Sequence, residues 1–326
     1  MAFSWDKIPR PIVALAPMAG YTDSSFRQMV KLVAPEIVCF TEFTSVDGIR
    51  YGAKNTLRQV EFNPDKERPI VAQIFGKKPE NFRIAARILT EMGVDAIDLN
   101  MGCPSKKVVS SDHGSALLKN CPLAYELIQA TIEGTHIPGR ESSPPVSVKT
   151  RIGIDSYDPD FFIPMCKNFE KYGAKLITIH GRTAKQMYSG KADWEPMYEL
   201  KRNVSIPVIG NGDVSSADAA VQKLGNLDGV MAGRATFGNP WVMAEIYARL
   251  NNKQYSPPQT LAEKLPLILE HCRLSVEFKG ERLGMLEMRK HLAWYIRGMP
   301  GASEIRQKLV RVDSIDEVKK ILEPFI

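Results

Sequence analysis

The sequence predicts a (β/α)8 barrel followed by a separate helical domain. Eight short apolar runs alternate with longer amphipathic stretches over residues 1–250 of the 326. The runs are apolar almost throughout, the pattern of parallel strands covered on both faces. Beyond residue 250 no strand-like run follows.

The strand candidates are 12–17 (IVALAP), 36–43 (EIVCFTEF), 69–75 (PIVAQIF), 96–101 (AIDLNM), 146–151 (VSVKTR), 176–181 (LITIHG), 207–212 (PVIGNG) and 228–233 (DGVMAG). Eight units in about 250 residues is the count of a closed barrel. Between them lie helical patterns such as PENFRIAARILTEMG (79–93) and SSADAAVQKLG (215–225), the latter closed by glycine. A doubly wound sheet is the alternative, but no GxGxxG follows the first strand. Residues 251–260, NNKQYSPPQT, form a polar, proline-containing linker. From Leu261 to Ile326 the chain reads as several helices separated by GMPGAS and VDS. The division is therefore a barrel over 1–250 and a helical domain over 251–326.

A net charge of +6 permits a polyanionic partner without requiring one. The five cysteines, at 39, 103, 121, 166 and 272, form no CxxC pair, so neither a zinc site nor a disulfide framework is expected. That usage fits a reducing cytoplasm. The N-terminal residues contain no run resembling a signal peptide, and no stretch approaches the roughly 20 apolar residues of a membrane span.

Barrel chemistry gathers at the C-terminal strand ends. Those ends carry Pro17-Met18-Ala19, Gln73, Asn100 then Cys103, Lys149 and Arg151, His180-Gly181-Arg182, Asn211-Gly212-Asp213, and Gly233-Arg234. Glycines at the last two ends let backbone amides approach a phosphate, and Arg234 can fork onto its oxygens. Lys149 can stabilise negative charge, and the Gln73 amide suits the edge of an imide-bearing ring. FMN would use all of these features. Singly, each residue has a structural explanation: a solvated strand end, a bonded core histidine, a loop cap. Their shared rim carries the inference. The five histidines offer no HExxH, and no metal is expected.

The string DLNMGCPSKKVV (98–109) is highly specific, and with it the chain resembles the tRNA-dihydrouridine synthases, most closely the bacterial B-type branch. The likeness extends through ALAPMAGYTDSSFR, TEF, AQIFGKKPENF, VSVKTRIG, TIHGRTAKQMYSG, PVIGNGDV, MAGRATFGNPW and RKHLAWYIRGMPGASEIRQKL, covering essentially the whole chain. It implies an FMN barrel with flavin contacts at Pro17, Met18, Ala19, Gln73, Lys149, His180, Asn211, Gly212, Asp213, Gly233 and Arg234. It implies NADPH as reductant, a uridine in the D-loop region of tRNA as substrate, and Cys103 as proton donor. A thiol is mostly protonated at neutral pH yet acidic enough to give up its proton.

The target base must leave its stack to be reached. Asn100, Lys106 and Lys107 beside the thiol, and Arg182 and Tyr188 after the sixth strand, are candidate substrate contacts. Residues 282–311 hold seven Lys or Arg against two Glu, with His291, Trp294 and Tyr295 interleaved. Arg289, Lys290 and Arg297 in this stretch are the expected tRNA grip, a solvated helix face being the plain alternative. The expected protein is a cytoplasmic monomer. The rival functions are another FMN barrel acting on a small pyrimidine or enone, and a non-catalytic RNA-binding barrel.

Overall fold

A computed structural model describes residues 3–105 and 111–326. Its elements run β1 (Ile12–Leu15), α1 (Ser24–Val33), β2 (Val38–Phe40), β3 (Thr44–Ser45), α2 (Val46–Arg50), α3 (Lys54–Val60), β4 (Ile70–Phe75), α4 (Pro79–Met92), β5 (Ala96–Met101) and α5 (Cys121–Thr135). There follow β6 (Val146–Arg151), α6 (Pro159–Lys171), β7 (Ile177–His180), α7 (Glu195–Lys201), β8 (Val208–Asn211), α8 (Ala217–Leu224), β9 (Gly229–Ala232) and α9 (Trp241–Leu250). The strand order is β2-β1-β9-β8-β7-β6-β5-β4, and β2 also pairs with β4, which closes an eight-stranded parallel barrel. The second strand expected from sequence is broken. β2 pairs with Ile70 and Val71 of β4, and the short β3 rejoins β4 at Ile74.

Side chains alternate across each strand, so every second residue points into the barrel. At the N-terminal end the inward set is apolar: Ile12, Ala14, Val38, Phe40, Val71, Ala96, Leu176, Ile209 and Met231 form one cluster with Trp5. Two or four residues further along, the same inward face becomes polar, as Gln73, Asp98 and Asn100, Ser147 and Lys149, and Thr178 and His180. The outward residues pack beneath the helices, as Leu15, Ile74, Leu99 and Val148 do with Phe82 and Leu127. Local signals set the helix ends. Gly93 closes α4 in the left-handed conformation and Ser216 caps α8 through the Ala219 amide.

The last helices are α10 (Leu261–Lys279), α11 (Glu281–Tyr295), α12 (Ala302–Leu309) and α13 (Ile315–Leu322). A capping box of Thr260 and Glu263 starts α10. Their core includes Trp241 of α9, and Tyr295 hydrogen-bonds the Met29 sulfur of α1 at 3.7 Å. Lys279 of α10 pairs with Asp23, the cap of α1, in a buried contact. The helical region is thus seated on the barrel's first and last helices. Among the described residues, no helix is long and apolar enough to cross a membrane.

Candidate active site

Strand register assembles the polar inward face in layers. Gln73 lies beside Asp98 and Asp98 beside Ser147, with Asn100 beside Lys149 one layer up. Arg151, His180 and Asn211 follow in one row at the rim. Lys149 Nζ donates to Asn211 Oδ1 at 3.2 Å, and Asn211 Nδ2 donates to the Met231 carbonyl at 2.8 Å. Burial, helped by Arg151, pushes the Lys149 amine down to about 8. Burial and the cations Lys149, Arg151, Arg182 and Arg234 lower His180 to about 2, so its imidazole is neutral. Four cations around one neutral histidine make a basin suited to an anion.

Cys103 is held through its own peptide. Its N–H donates to Asn100 Oδ1 at 2.9 Å, and its carbonyl accepts from the Ser115 amide at 3.1 Å and hydroxyl at 3.0 Å. A Cβ on Gly102 would lie 3.2 Å from the Thr150 backbone, so glycine lets this loop press against β6. Arg151 donates to the Gly102 carbonyl at 2.7 Å and to those of Thr183 and Met187, tying the loop after β5 to the loop after β7. Burial pushes the Cys103 thiol up, outweighing the Ser105 amide and the cations Arg151 and Lys149. The thiol therefore keeps its proton at neutral pH.

On the opposite rim, a Cβ on Gly233 would meet Met18 Sδ at 3.3 Å, and one on Gly212 would meet Ala192 and His180 at 2.7 and 3.0 Å. Pro17 and Met18 are half-buried here and Ala19 is exposed. The Asp213 carboxylate is turned to internal work. It accepts from Arg182 at 2.8 and 2.9 Å and from the Ala192 amide at 2.8 Å. Burial opposes its ionisation, but the Ala192 amide and Arg182 outweigh that and hold it below the usual carboxylate range. Arg182, a candidate RNA or base contact, is buried, because this pair and the Ser189 and Gly190 carbonyls enclose it. Its Nη1 has no partner among the described residues. Tyr188 is exposed and stacks on Arg234, whose guanidinium carbon lies 5.0 Å from the ring centre.

The Lys106 and Lys107 expectation lies outside the described residues. In the helical region Arg289 faces inward to the fold, donating to the Val312 carbonyl at 3.0 Å and Asp313 at 2.7 Å. Lys290 sits over Tyr21 beside a cavity of about 490 Å³ between the barrel rim and α10–α11, which Ala19, Glu42, Arg58 and Lys279 also line. Arg297 is exposed over Trp294, and Arg306, Lys308 and Arg311 are exposed as well. Sequence reasoning passed over Asp98, Ser115 and Ser147. Asp98 alone left a signal, a carboxylate in the middle of a mostly apolar strand. Among the described residues, no group of three or more His, Cys, Asp or Glu could hold a metal ion.

The family described as dihydrouridine synthase (Dus) matches residues 14–326. The "Probable tRNA-dihydrouridine synthase 1" of Synechocystis sp. is 35% identical over 318 residues, covering 96% of this chain and 86% of that protein. The "tRNA-dihydrouridine synthase B" of Pseudomonas aeruginosa is 35% identical over 305 residues, covering 93% and 89%. A "Probable tRNA-dihydrouridine synthase" of Mycobacterium tuberculosis is 36% identical, covering 95% and 81%. With the family's match running from the first strand through the last helix, this chain belongs to the dihydrouridine synthase family.

Proposed function

We propose that the protein is an FMN-dependent tRNA-dihydrouridine synthase, acting in the cytoplasm on tRNA with NADPH as reductant. The donor set fits the flavin. A buried amine, an amide pair and a neutral imidazole line the barrel mouth, and two close-packed glycines with Arg234 and the Arg182 Nη1 lie at its far side. When bound, FMN supplies hydride chemistry, the electron pair passing from NADPH to uracil C6 as the C5–C6 double bond is lost. Lys149 would face the charge that the cofactor carries, and Asn100 would orient the base, with Gln73 bracing it from beneath. Cys103 gives its thiol proton to C5, and its sulfur takes a proton back from solvent. Pro17, Met18, Ala19, His180, Asn211, Gly212, Asp213, Gly233 and Arg234 complete the cofactor rim, Asp213 by holding Arg182 in place. The helices from residue 251 onward serve as the tRNA-gripping domain, through Arg297 and its exposed basic neighbours.

The observation that carries this reading is a protonated, half-buried thiol anchored at both ends of its peptide within a cationic basin. The test is single-turnover reoxidation of the reduced protein by unmodified tRNA, without oxygen. Cys103→Ala should bleach normally with NADPH but reoxidise about 10²–10⁴-fold more slowly, the usual loss for a positioned acid. Reoxidation at the wild-type rate would remove Cys103 from the chemistry.

A further inference from the structure

Asp98 occupies an inward position of β5 with no exposure to solvent, where a barrel layer ordinarily carries an apolar side chain. Both of its oxygens are engaged. Oδ1 accepts from Ser147 Oγ at 2.6 Å, and Oδ2 accepts from Gln73 Nε2 at 2.7 Å. Gln73 Oε1 in turn accepts from Asn100 Nδ2 at 2.9 Å. Asn100 Oδ1 then accepts the backbone N–H groups of Gly102 at 3.1 Å and Cys103 at 2.9 Å. The polarity of this chain of bonds is fixed from both ends, because a backbone N–H only donates and a carboxylate only accepts. Each amide in between has one permitted orientation. Turning Gln73 over would set its oxygen against Asp98 and its NH₂ against that of Asn100. Among the described residues Asp98 alone accepts from the Gln73 NH₂, and full burial closes the site to water that could replace it.

We propose that Asp98 is a positioning residue: through Gln73 and Asn100 it anchors the Gly102–Cys103 peptide to the barrel wall and so aims the thiol. The role rests on the reading of Cys103 as proton donor. It also explains why a carboxylate is tolerated at this depth. Leucine would fill the space but leave a buried amide unpaired, and the cost would be felt three side chains away at the loop.

Polarity gives the test. Asp98→Asn can still present an oxygen to Gln73 while its NH₂ faces the Ser147 hydroxyl, whereas Asp98→Leu cannot. Asn100→Asp places acceptors on both sides of Gln73. Adding Asp98→Asn to it restores a consistent chain with Gln73 reversed, because the amide introduced at position 98 donates and the carboxylate introduced at position 100 accepts. Two readouts are taken on the folded full-length protein: hydrogen exchange of the Gly102 and Cys103 amides, and single-turnover reoxidation by tRNA. Asp98→Leu should speed exchange and slow reoxidation about ten-fold or more, as expected for an orphaned buried donor. Asp98→Asn should recover both. Asn100→Asp should be slow, and Asp98→Asn/Asn100→Asp faster than Asn100→Asp alone. Unchanged exchange in Asp98→Leu, or a double variant no better than Asn100→Asp, overturns the proposal. Should Asp98→Leu not fold, the Asn100→Asp pair decides. Should the double variant not fold, exchange in Asp98→Leu against Asp98→Asn decides. A wild-type protein that tRNA does not reoxidise would defeat the functional reading, and the exchange data would still judge the anchoring.

Discussion

Asp98 and Lys149 show how burial sets the chemistry of the barrel mouth. Burial raises Asp98 to about 6 against the hydrogen bonds from Ser147 and Gln73. Between its unfolded value of 3.8 and about 6, the native state holds a proton that the unfolded chain has released. Stability therefore falls as pH rises through that window, by about 3 kcal/mol at most. Asp98→Asn removes the titration. Its unfolding free energy in urea should exceed the wild-type value at pH 7 and lose the downward slope between pH 4 and 6. Lys149 works in the other direction, because its charge fades as pH rises through about 8. The flavin-free protein should bind FMN more weakly above that pH. Lys149→Met should weaken binding about ten-fold at pH 7, as for loss of a charged hydrogen-bonding partner, and flatten the profile in a fluorescence titration.

Among the elements, α1 is where barrel and C-terminal helices are fastened. Asp23 caps it by accepting from the Phe26 amide at 2.9 Å, and the same carboxylate pairs with Lys279 of α10. Burial opposes the Asp23 charge, but Lys279 and His291 overcome it and hold the carboxyl far below its usual range. Removing one member of a buried pair leaves the other uncompensated, which typically costs about 3–5 kcal/mol. Lys279→Met should approach that loss. Asp23→Ala should fall at its lower end, because Lys279 keeps Glu287 at 2.5 Å while α1 loses its cap. The double variant should lose less than the sum of the two, as measured by urea denaturation. The end of α8 was legible in the sequence because Gly225 acts on its own helix. The break between β2 and β3 was not, because it depends on which residues of β4 each segment meets.

The molecule as a whole presents two kinds of basic residue on its C-terminal helices. Arg289 is bonded to the turn that starts α13, whereas Arg297, Arg306 and Arg311 reach solvent. Removing one phosphate-binding cation should lower the slope of log K against log salt by about 0.7–0.9. Replacing the three exposed arginines by alanine should therefore weaken tRNA binding and cut that slope by about 2, with FMN content unchanged. Arg289→Ala should instead lower the melting temperature and leave the slope near its wild-type value. Equal slopes in the triple variant and the wild type, by filter binding across a salt series, would mark these arginines as an ordinary solvated face.

The sequence alone determined the eight-stranded barrel, the helical C-terminal region and the strand ends near which Gln73, Asn100, Cys103, Lys149, His180 and Arg234 lie. These were readable because apolar runs, strand ends and a specific string are local features, and a barrel places every strand end on one face. What only the tertiary structure decided is what each polar side chain is bonded to. The sequence offers Arg182, Asp213 and Arg289 as candidate contacts, and folding gives each of them a protein partner as well. Asp98 lies 25 residues from Gln73 and 49 from Ser147, the two side chains that give it meaning. Ser115 lies 12 residues from the Cys103 carbonyl it holds. A hydrogen bond is set by distance and direction between its two groups, and for residues on different strands both are fixed only when the sheet closes and its register is chosen.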